Sequence, residues 1–384
     1  MSRPREDAAT RPLDMTWHPL DGVKVLDLSR LLPGPFLTQL LSDLGADIIK
    51  VEEPRVGDYA RWMQDGSAFT AINKGKRSIT LDLKAPGAAD VVLKLAQRSD
   101  VLVESFRPGV LDRLGLPDDL LGRACPKLIR VSLVGYPRGP MRDDVGHDLN
   151  YVSLSGILDA QGSGRDAAPV QSAAQVADIG GALYGAVGVL AALHERERTG
   201  KGRRVEVALS DAALSMHAVH LQRAAGTGDL PARGEWELSG GIPSYAVYEA
   251  NDGRFVALAA LEPRFWERFV QAVGRPDLDG ANLDAARASD VAAVFRASRS
   301  RDEWVAFLTK AGVPATPVLD AREALAHPNA ARLGGTPGPG SPLTARASQG
   351  RAPELGADTD AVLLDAGYSV EEIAAFRSRG VLGP

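Results

Sequence analysis

Apolar and polar positions alternate along the first half of the chain, with strand spacing and helix spacing in turn. Lys24-Val25-Leu26-Asp27-Leu28 is a short apolar run that reads as a strand. A turn at Pro33-Gly34-Pro35 leads into an amphipathic helix over Phe36–Leu44, which breaks at Gly45, and Asp47–Val51 reads as the next strand. A second cycle follows in Ser78–Leu83, a helix from Pro86 to Gln97, and the strand Val101–Glu104; a third strand covers Leu128–Leu133. Strand and helix in this order predict a parallel, Rossmann-like sheet with helices on both faces. Such sheets bind ligands at the carboxyl ends of their strands, here Glu104–Arg107 and Gly135–Tyr136. The first βαβ unit lacks GxGxxG, so it does not predict a nicotinamide site.

Gly and Ala dominate a long helix from Gly180 to about Arg198, followed by Thr199-Gly200-Lys201-Gly202. The GxxxxGK spacing of a phosphate loop is missing, so this Gly-Lys-Gly reads as a helix C-cap. Arg204–Ala208 is a strand and Asp211–Ala224 a helix. From residue 226 the texture changes. Ser244–Tyr248 and Phe255–Ala259 flank the turn Asn251-Asp252-Gly253-Arg254, which predicts a hairpin. Helices follow at Pro263–Val273, Asp290–Ser298 and Arg301–Ala311, with Val313–Val318 extended. The expected organisation is a disordered extension at 1–19 and a large α/β domain at 20–225. A small α+β domain at 226–332 precedes a Gly/Pro/Ser-rich linker that starts at 333, and a helical tail returns to the large domain by 384.

The candidate chemistry sits at two helix starts. Gly146-His147-Asp148-Leu149-Asn150-Tyr151 precedes a helical pattern, and Ala177-Asp178-Ile179-Gly180-Gly181 opens the long helix with Asp178 as its expected N-cap. Helix N-termini present unpaired N–H groups and the positive end of a dipole, which favour an anionic intermediate and are expected to keep Asp178 ionised. His147 is a proton acceptor by residue type. Two bases facing one carbon can remove a proton from one side and return it from the other. His194, His217, His220 and His327 have no partner pattern and read as structural. Lys76, Arg77 and Arg107 are cations near strand ends, where phosphates are recognised.

Composition narrows the setting. With 45% hydrophobic and 24% charged residues, 384 residues bury a full core, and a formal net charge of −5 argues against nucleic acid as a partner. One cysteine, Cys125, excludes a disulfide framework or thiolate metal cluster and fits a reducing cytoplasm. Residues 1–16 mix both charge signs with prolines and do not read as a signal peptide. No apolar run is expected to span a membrane.

Several stretches, taken in order, resemble the family III CoA-transferase superfamily of the CaiB–BaiF type. They are Leu26-Asp27-Leu28-Ser29 with Pro33-Gly34-Pro35, Asp43–Glu52, Lys76-Arg77-Ser78, Leu81-Asp82-Leu83-Lys84, Phe106–Val110, and in the tail Leu355–Asp360 with Gly367-Tyr368-Ser369. Within it, Gly146–Tyr151, Gly240-Gly241 with Tyr245, and Ala260–Phe265 are similar to the α-methylacyl-CoA racemase branch.

The resemblance implies an interlocked, ring-like homodimer and an acyl-CoA substrate, with no separate cofactor. It assigns the two catalytic bases to His147 and Asp178, and the group that bonds the histidine to Glu262. It places CoA contacts on Leu32, Pro33, Leu81, Asp82, Leu83, Lys84, Glu104, Ser105, Phe106, Arg107, Arg113, Gly146, Asp148, Asn150 and Tyr151. The activity implied is racemisation of 2-methylacyl-CoA thioesters through an enolate. The alternative is CoA transfer between carboxylic acids, with Asp178 as nucleophile. One position departs from the pattern: Glu53 stands where the family commonly has an arginine, and Arg55 or Arg61 are candidates to replace that cation.

Overall fold

The computed structural model describes residues 17–227, 230–332, 342 and 350–383. The expected N-terminal extension (1–16) and most of the expected linker (333–341 and 343–349) lie outside the described residues. The chain forms two compact units. The first takes residues up to Leu154, Ala174–Met216 and those from Leu325 onward; the second takes Ser155–Ala173 and His217–Ala324. Residues 217–225 and 155–173 therefore belong with the second unit, where the His217 imidazole bonds the Ser155 carbonyl through Nδ1 at 2.9 Å.

The first unit is built on a parallel sheet of β1 (Lys24–Asp27), β2 (Asp47–Glu52), β3 (Arg77–Thr80), β4 (Val101–Glu104), β5 (Ile129–Val134) and β6 (Arg204–Ala208), in the order β3-β2-β1-β4-β5-β6. The alternation of side chains along a strand feeds two cores. Val101 and Val103 of β4 face one, with Val25, Ile129 and Val131; Leu102 faces the other, with Leu26 and Ile79. Burying each such side chain is worth about 1.5–3 kcal/mol. After β1 the chain moves outward to β2 and β3, then crosses back to place β4 on the other side of β1. The ends of β1 and β4 are thus the switch point where a doubly wound sheet opens a crevice.

Helix α1 (Pro33–Asp43) begins earlier than its apolar spacing indicates. Pro33 sits at the first helical position, where a missing N–H costs nothing, so the Pro-Gly-Pro turn is the helix's own first turn. Helix α2 (Ala88–Ala96) packs in the Leu26 core, and α3 (Asp148–Leu154) follows β5. Helix α4 (Val176–Thr199) packs against α1, β5 and β6 and against α5 (Leu209–Met216). It ends on Gly200 at φ +68°, the left-handed cap its sequence implies. Contrary to the expectation from sequence, α4 is long and apolar enough, with a mean hydropathy of 1.7 over 18 residues, to cross a membrane by length and composition. Its Gly and Ala stripe lies instead against the sheet and neighbouring helices: a Cβ on Gly185 would strike Leu37, and one on Gly188 would strike Val205. The tail helices Thr359–Asp365 and Val370–Ser378 close the Leu26 core with Val362, Leu363 and Ile373.

The second unit carries an antiparallel sheet, β7 (Tyr245–Glu249), β8 (Phe255–Ala259) and β9 (Ala315–Pro317), in that order. Its core gathers Trp266 and Phe269 of α6 (Pro263–Val273), Phe295 of α7 (Ala288–Ser298) and Trp304 of α8 (Arg301–Lys310). Both buried indoles find acceptors, Trp266 at the Leu278 carbonyl (2.9 Å) and Trp304 at the Phe295 carbonyl (2.8 Å).

Candidate functional site

The switch point is lined by the turn after β1 and the segment after β4. Leu31 in that turn has φ +63°, a left-handed conformation that costs a non-glycine residue about 1–2 kcal/mol. Its amide is held by Asp58 Oδ1 at 2.9 Å. Asp58 in turn pairs at 2.8 Å with Lys50, which is wholly buried in β2 and donates also to the Ser29 carbonyl at 3.0 Å. Burial opposes the Lys50 charge, but Asp27 and Asp58 outweigh it and hold the ammonium above its ordinary pKa. Lys76 is likewise buried. It donates to the Pro35 carbonyl, Thr38 and Asn73, and Arg77 pairs with Asp47. These two cations, expected from sequence as phosphate ligands, are spent on the protein's own groups, Lys76 in the interior and Arg77 on a partly exposed carboxylate.

A cavity of about 590 Å³ opens on this crevice and is lined by both candidate bases, His147 and Asp178, together with Leu31, Pro33, Ser105, Phe106, Arg107, Gly146, Asn150 and Tyr151. His147 is exposed at the head of α3; its carbonyl accepts the amides of Asn150 (2.8 Å) and Tyr151 (3.3 Å), while Asn150 Oδ1 accepts its N–H at 3.0 Å. The Tyr151 hydroxyl donates to the Gly146 carbonyl at 2.6 Å, and its ring stands edge-on to Tyr136 at 5.1 Å. This fit needs glycine: a Cβ at 146 would lie 2.8 Å from both the Tyr136 hydroxyl and the Tyr151 ring.

Two expectations for Asp178 are corrected. Helix α4 starts at Val176 after Gln175, so Asp178 is inside the first turn and not the N-cap. Asp148 Oδ1 performs the capping instead, accepting the amides of Ala177 (2.7 Å) and Asp178 (3.0 Å). Nor is Asp178 held firmly ionised. Burial, reinforced by the Asp148 carboxylate, pushes its pKa up to about 7, outweighing the helix terminus. At neutral pH both of its protonation states are populated, which suits a group that must give and take a proton.

Next to this cavity lies a second of about 490 Å³, lined by Leu81, Asp82, Leu83, Lys84, Glu53, Arg55 and Asp58. Arg30 and Phe106 line both. Neither candidate replacement for the family arginine is a free cation. Arg61 forks onto Glu52 at 2.8 and 2.7 Å, and Arg55 bonds Glu53 at 2.9 Å. A third cavity, about 320 Å³, takes in Glu104 with Phe106 and Arg107; burial raises the Glu104 pKa above the ordinary range.

Of the other predicted residues, Leu32 precedes α1 and takes the Phe36 amide on its carbonyl, and Arg113 ends a short helix after β4; like Asp148, neither lines these cavities. Glu262 belongs to the second unit, exposed at the N-cap of α6. Sequence reasoning missed Arg30, Leu31, Asp58 and Tyr59. The strand-end rule applied to β1 would have found the first two, whereas Asp58 and Tyr59 carry no local signal.

Residues 20–359 match the model of CoA-transferase family III. The chain is 34% identical over 390 residues to alpha-methylacyl-CoA racemase of Homo sapiens, covering 94% of this chain and 97% of that protein. It is 32% identical over 418 residues to formyl-CoA:oxalate CoA-transferase of Bradyrhizobium diazoefficiens, covering 95% and 97%. Among solved structures, a CAIB/BAIF family protein from Brucella suis superposes with a TM-score of 0.77 at 30% identity, over 91% of this chain and 99% of that one.

Proposed function

Because the chain belongs to CoA-transferase family III, we propose that it is an acyl-CoA racemase or epimerase acting on 2-methylacyl-CoA thioesters. The observation that carries this reading is that His147 and Asp178 line one cavity, with the Asp178 pKa near 7. A nucleophilic carboxylate has to be ionised, whereas a residue that alternates between acid and base works best when both forms are at hand.

The thioester carbonyl acidifies the α-hydrogen. His147 takes that proton from one enantiomer, Asp178 in its neutral form returns one to the opposite face, and the roles exchange in the reverse direction. The amides of Asp148 and Leu149, which the start of α3 leaves without intrahelical partners, are proposed for the enolate oxygen. The proton transfer calls for no metal or redox group. Glu262 is the proposed third polar group, and the CoA moiety is proposed for the 490 Å³ cavity with Leu81–Lys84.

A homodimer belongs to the same proposal. Leu183, Tyr184, Val187 and Leu190 are exposed along one side of α4, with Val187 63% exposed. An apolar stripe of this kind is suited to burial against a second copy.

The test is incubation with (R)- and with (S)-2-methylacyl-CoA in D2O, following the α-position by mass spectrometry and chiral analysis. Deuterium uptake with loss of optical purity is expected. No uptake, together with acyl transfer to a carboxylic acid and an adduct on Asp178, would replace this reading with CoA transfer.

A further inference from the structure

We propose that Arg30 is a specificity-determining residue whose guanidinium takes the diphosphate of the CoA thioester at the passage between the two larger cavities. The inference rests on the acyl-CoA reading above. Arg30 and Phe106 line both cavities, so a ligand that places its nucleotide end in one and its acyl end in the other runs past them. Nothing in the family match or in the resemblance assigns Arg30 a role.

The guanidinium lies over the rings of Tyr59 and Phe106, at 5.6 and 5.5 Å from their centroids. Stacking uses the faces of the plane and leaves its edge N–H groups to donate. Among the described residues they have no hydrogen-bond acceptor, whereas Arg61 is spent on Glu52 and Arg55 on Glu53. An unspent planar fork is the geometry that matches phosphate oxygens.

The backbone beneath Arg30 is fixed on every side. Lys50 holds the Ser29 carbonyl, Ser105 Oγ accepts the Arg30 amide at 3.3 Å, and Asp58 holds the strained Leu31 amide. The Ser105 bond crosses from the end of β1 to the end of β4, so it spans the switch point itself. Asp58 also caps the turn that presents Tyr59, accepting the Ala60 amide at 2.9 Å. One buried ion pair therefore places both the arginine's turn and one of the rings it stacks on. Strained backbone persists where surrounding bonds over-determine it, and such places concentrate at ligand clamps.

The experiment measures binding of CoA, dephospho-CoA and pantetheine to wild type, Arg30→Ala and Arg30→Lys by calorimetry. Arg30→Ala is expected to weaken CoA and dephospho-CoA alike, by roughly 10- to 100-fold, and pantetheine by less than about twofold, with Arg30→Lys intermediate. Three results overturn the proposal: equal CoA binding by wild type and Arg30→Ala, loss for CoA alone (which would place the guanidinium on the 3′-phosphate), or an equal loss for pantetheine. Failure of wild type to bind CoA at all would instead sink the acyl-CoA reading on which the proposal stands.

Discussion

Asp148 and Asp178 are joined by a hydrogen bond that sets their chemistry apart: the Asp148 carboxylate accepts the Asp178 backbone amide at 3.0 Å. The Asp148 carboxylate accepts both donors at the head of α4. That fixed charge helps drive the Asp178 carboxyl, already disfavoured by burial, up to about 7.

Asp148→Asn keeps an oxygen to accept both amides but removes the charge. The Asp178 pKa is expected to fall from about 7 towards the ordinary carboxylate range. In the direction that uses Asp178 as acid, the rate falls as pH rises through that pKa, so this limb should move to lower pH. In the opposite direction, where Asp178 is the base, the rising limb should move the same way. Paired pH–rate profiles for the two enantiomers check this; unmoved limbs would assign them to another group.

Stability should carry the same signature. The Asp178 carboxyl ionises near its ordinary value of 3.8 in the unfolded chain but keeps its proton to about 7 when folded. The unfolded state is therefore favoured progressively as pH rises across that window, and the loss is level above it. Asp178→Asn is expected to be inactive yet more resistant to urea than wild type at pH 8, with the advantage shrinking towards pH 4. Urea midpoints at both pH values measure it.

Gly146→Ala places a methyl 2.8 Å from the Tyr136 hydroxyl and the Tyr151 ring. Overpacking of this kind costs about 1–3 kcal/mol, and here the displaced ring lies one turn beyond His147. A fall in kcat larger than the drop in Tm can account for is the expected result; a proportionate fall would limit the glycine to a packing role.

Lys50→Met leaves Asp58 without its buried ion-pair partner, while Asp27 keeps Lys76. Breaking one partner of such a pair costs about 3–5 kcal/mol. Because Asp58 also holds the Leu31 turn, substrate KM is expected to rise in any variant that still folds. Kinetics and chemical denaturation on one preparation separate the two effects.

Val187→Asp puts a charge at the centre of the exposed apolar side of α4. Light scattering after gel filtration should show a homodimer for wild type and dissociation for the variant. An unchanged mass would remove this stripe from the proposed interface.

Elements of both units were legible along the chain. The strand at Val101–Glu104 and the helix at Pro263–Val273 appear as read, because fully buried parallel strands and amphipathic helices leave strong local patterns. The region read as a helix over Asp211–Ala224 is instead two helices, Leu209–Met216 and Ala218–Thr227, since neither Gly nor Pro marks the break at His217. His147 and Asp178 were also visible, being chemistry-bearing residues at two helix starts.

The amino-acid order by itself determined the alternation of strand and helix, the family pattern and the identity of the two candidate bases, because these depend on residue type and near-neighbour spacing. Only the tertiary structure decided that Asp148 caps a helix begun 28 residues later, that Asp178 is protonated in part at neutral pH, that Lys50 and Lys76 are buried, and that Arg30 stands between two cavities. Desolvation and through-space charge set those states, and both depend on which distant segments the fold brings within a few ångströms of one another.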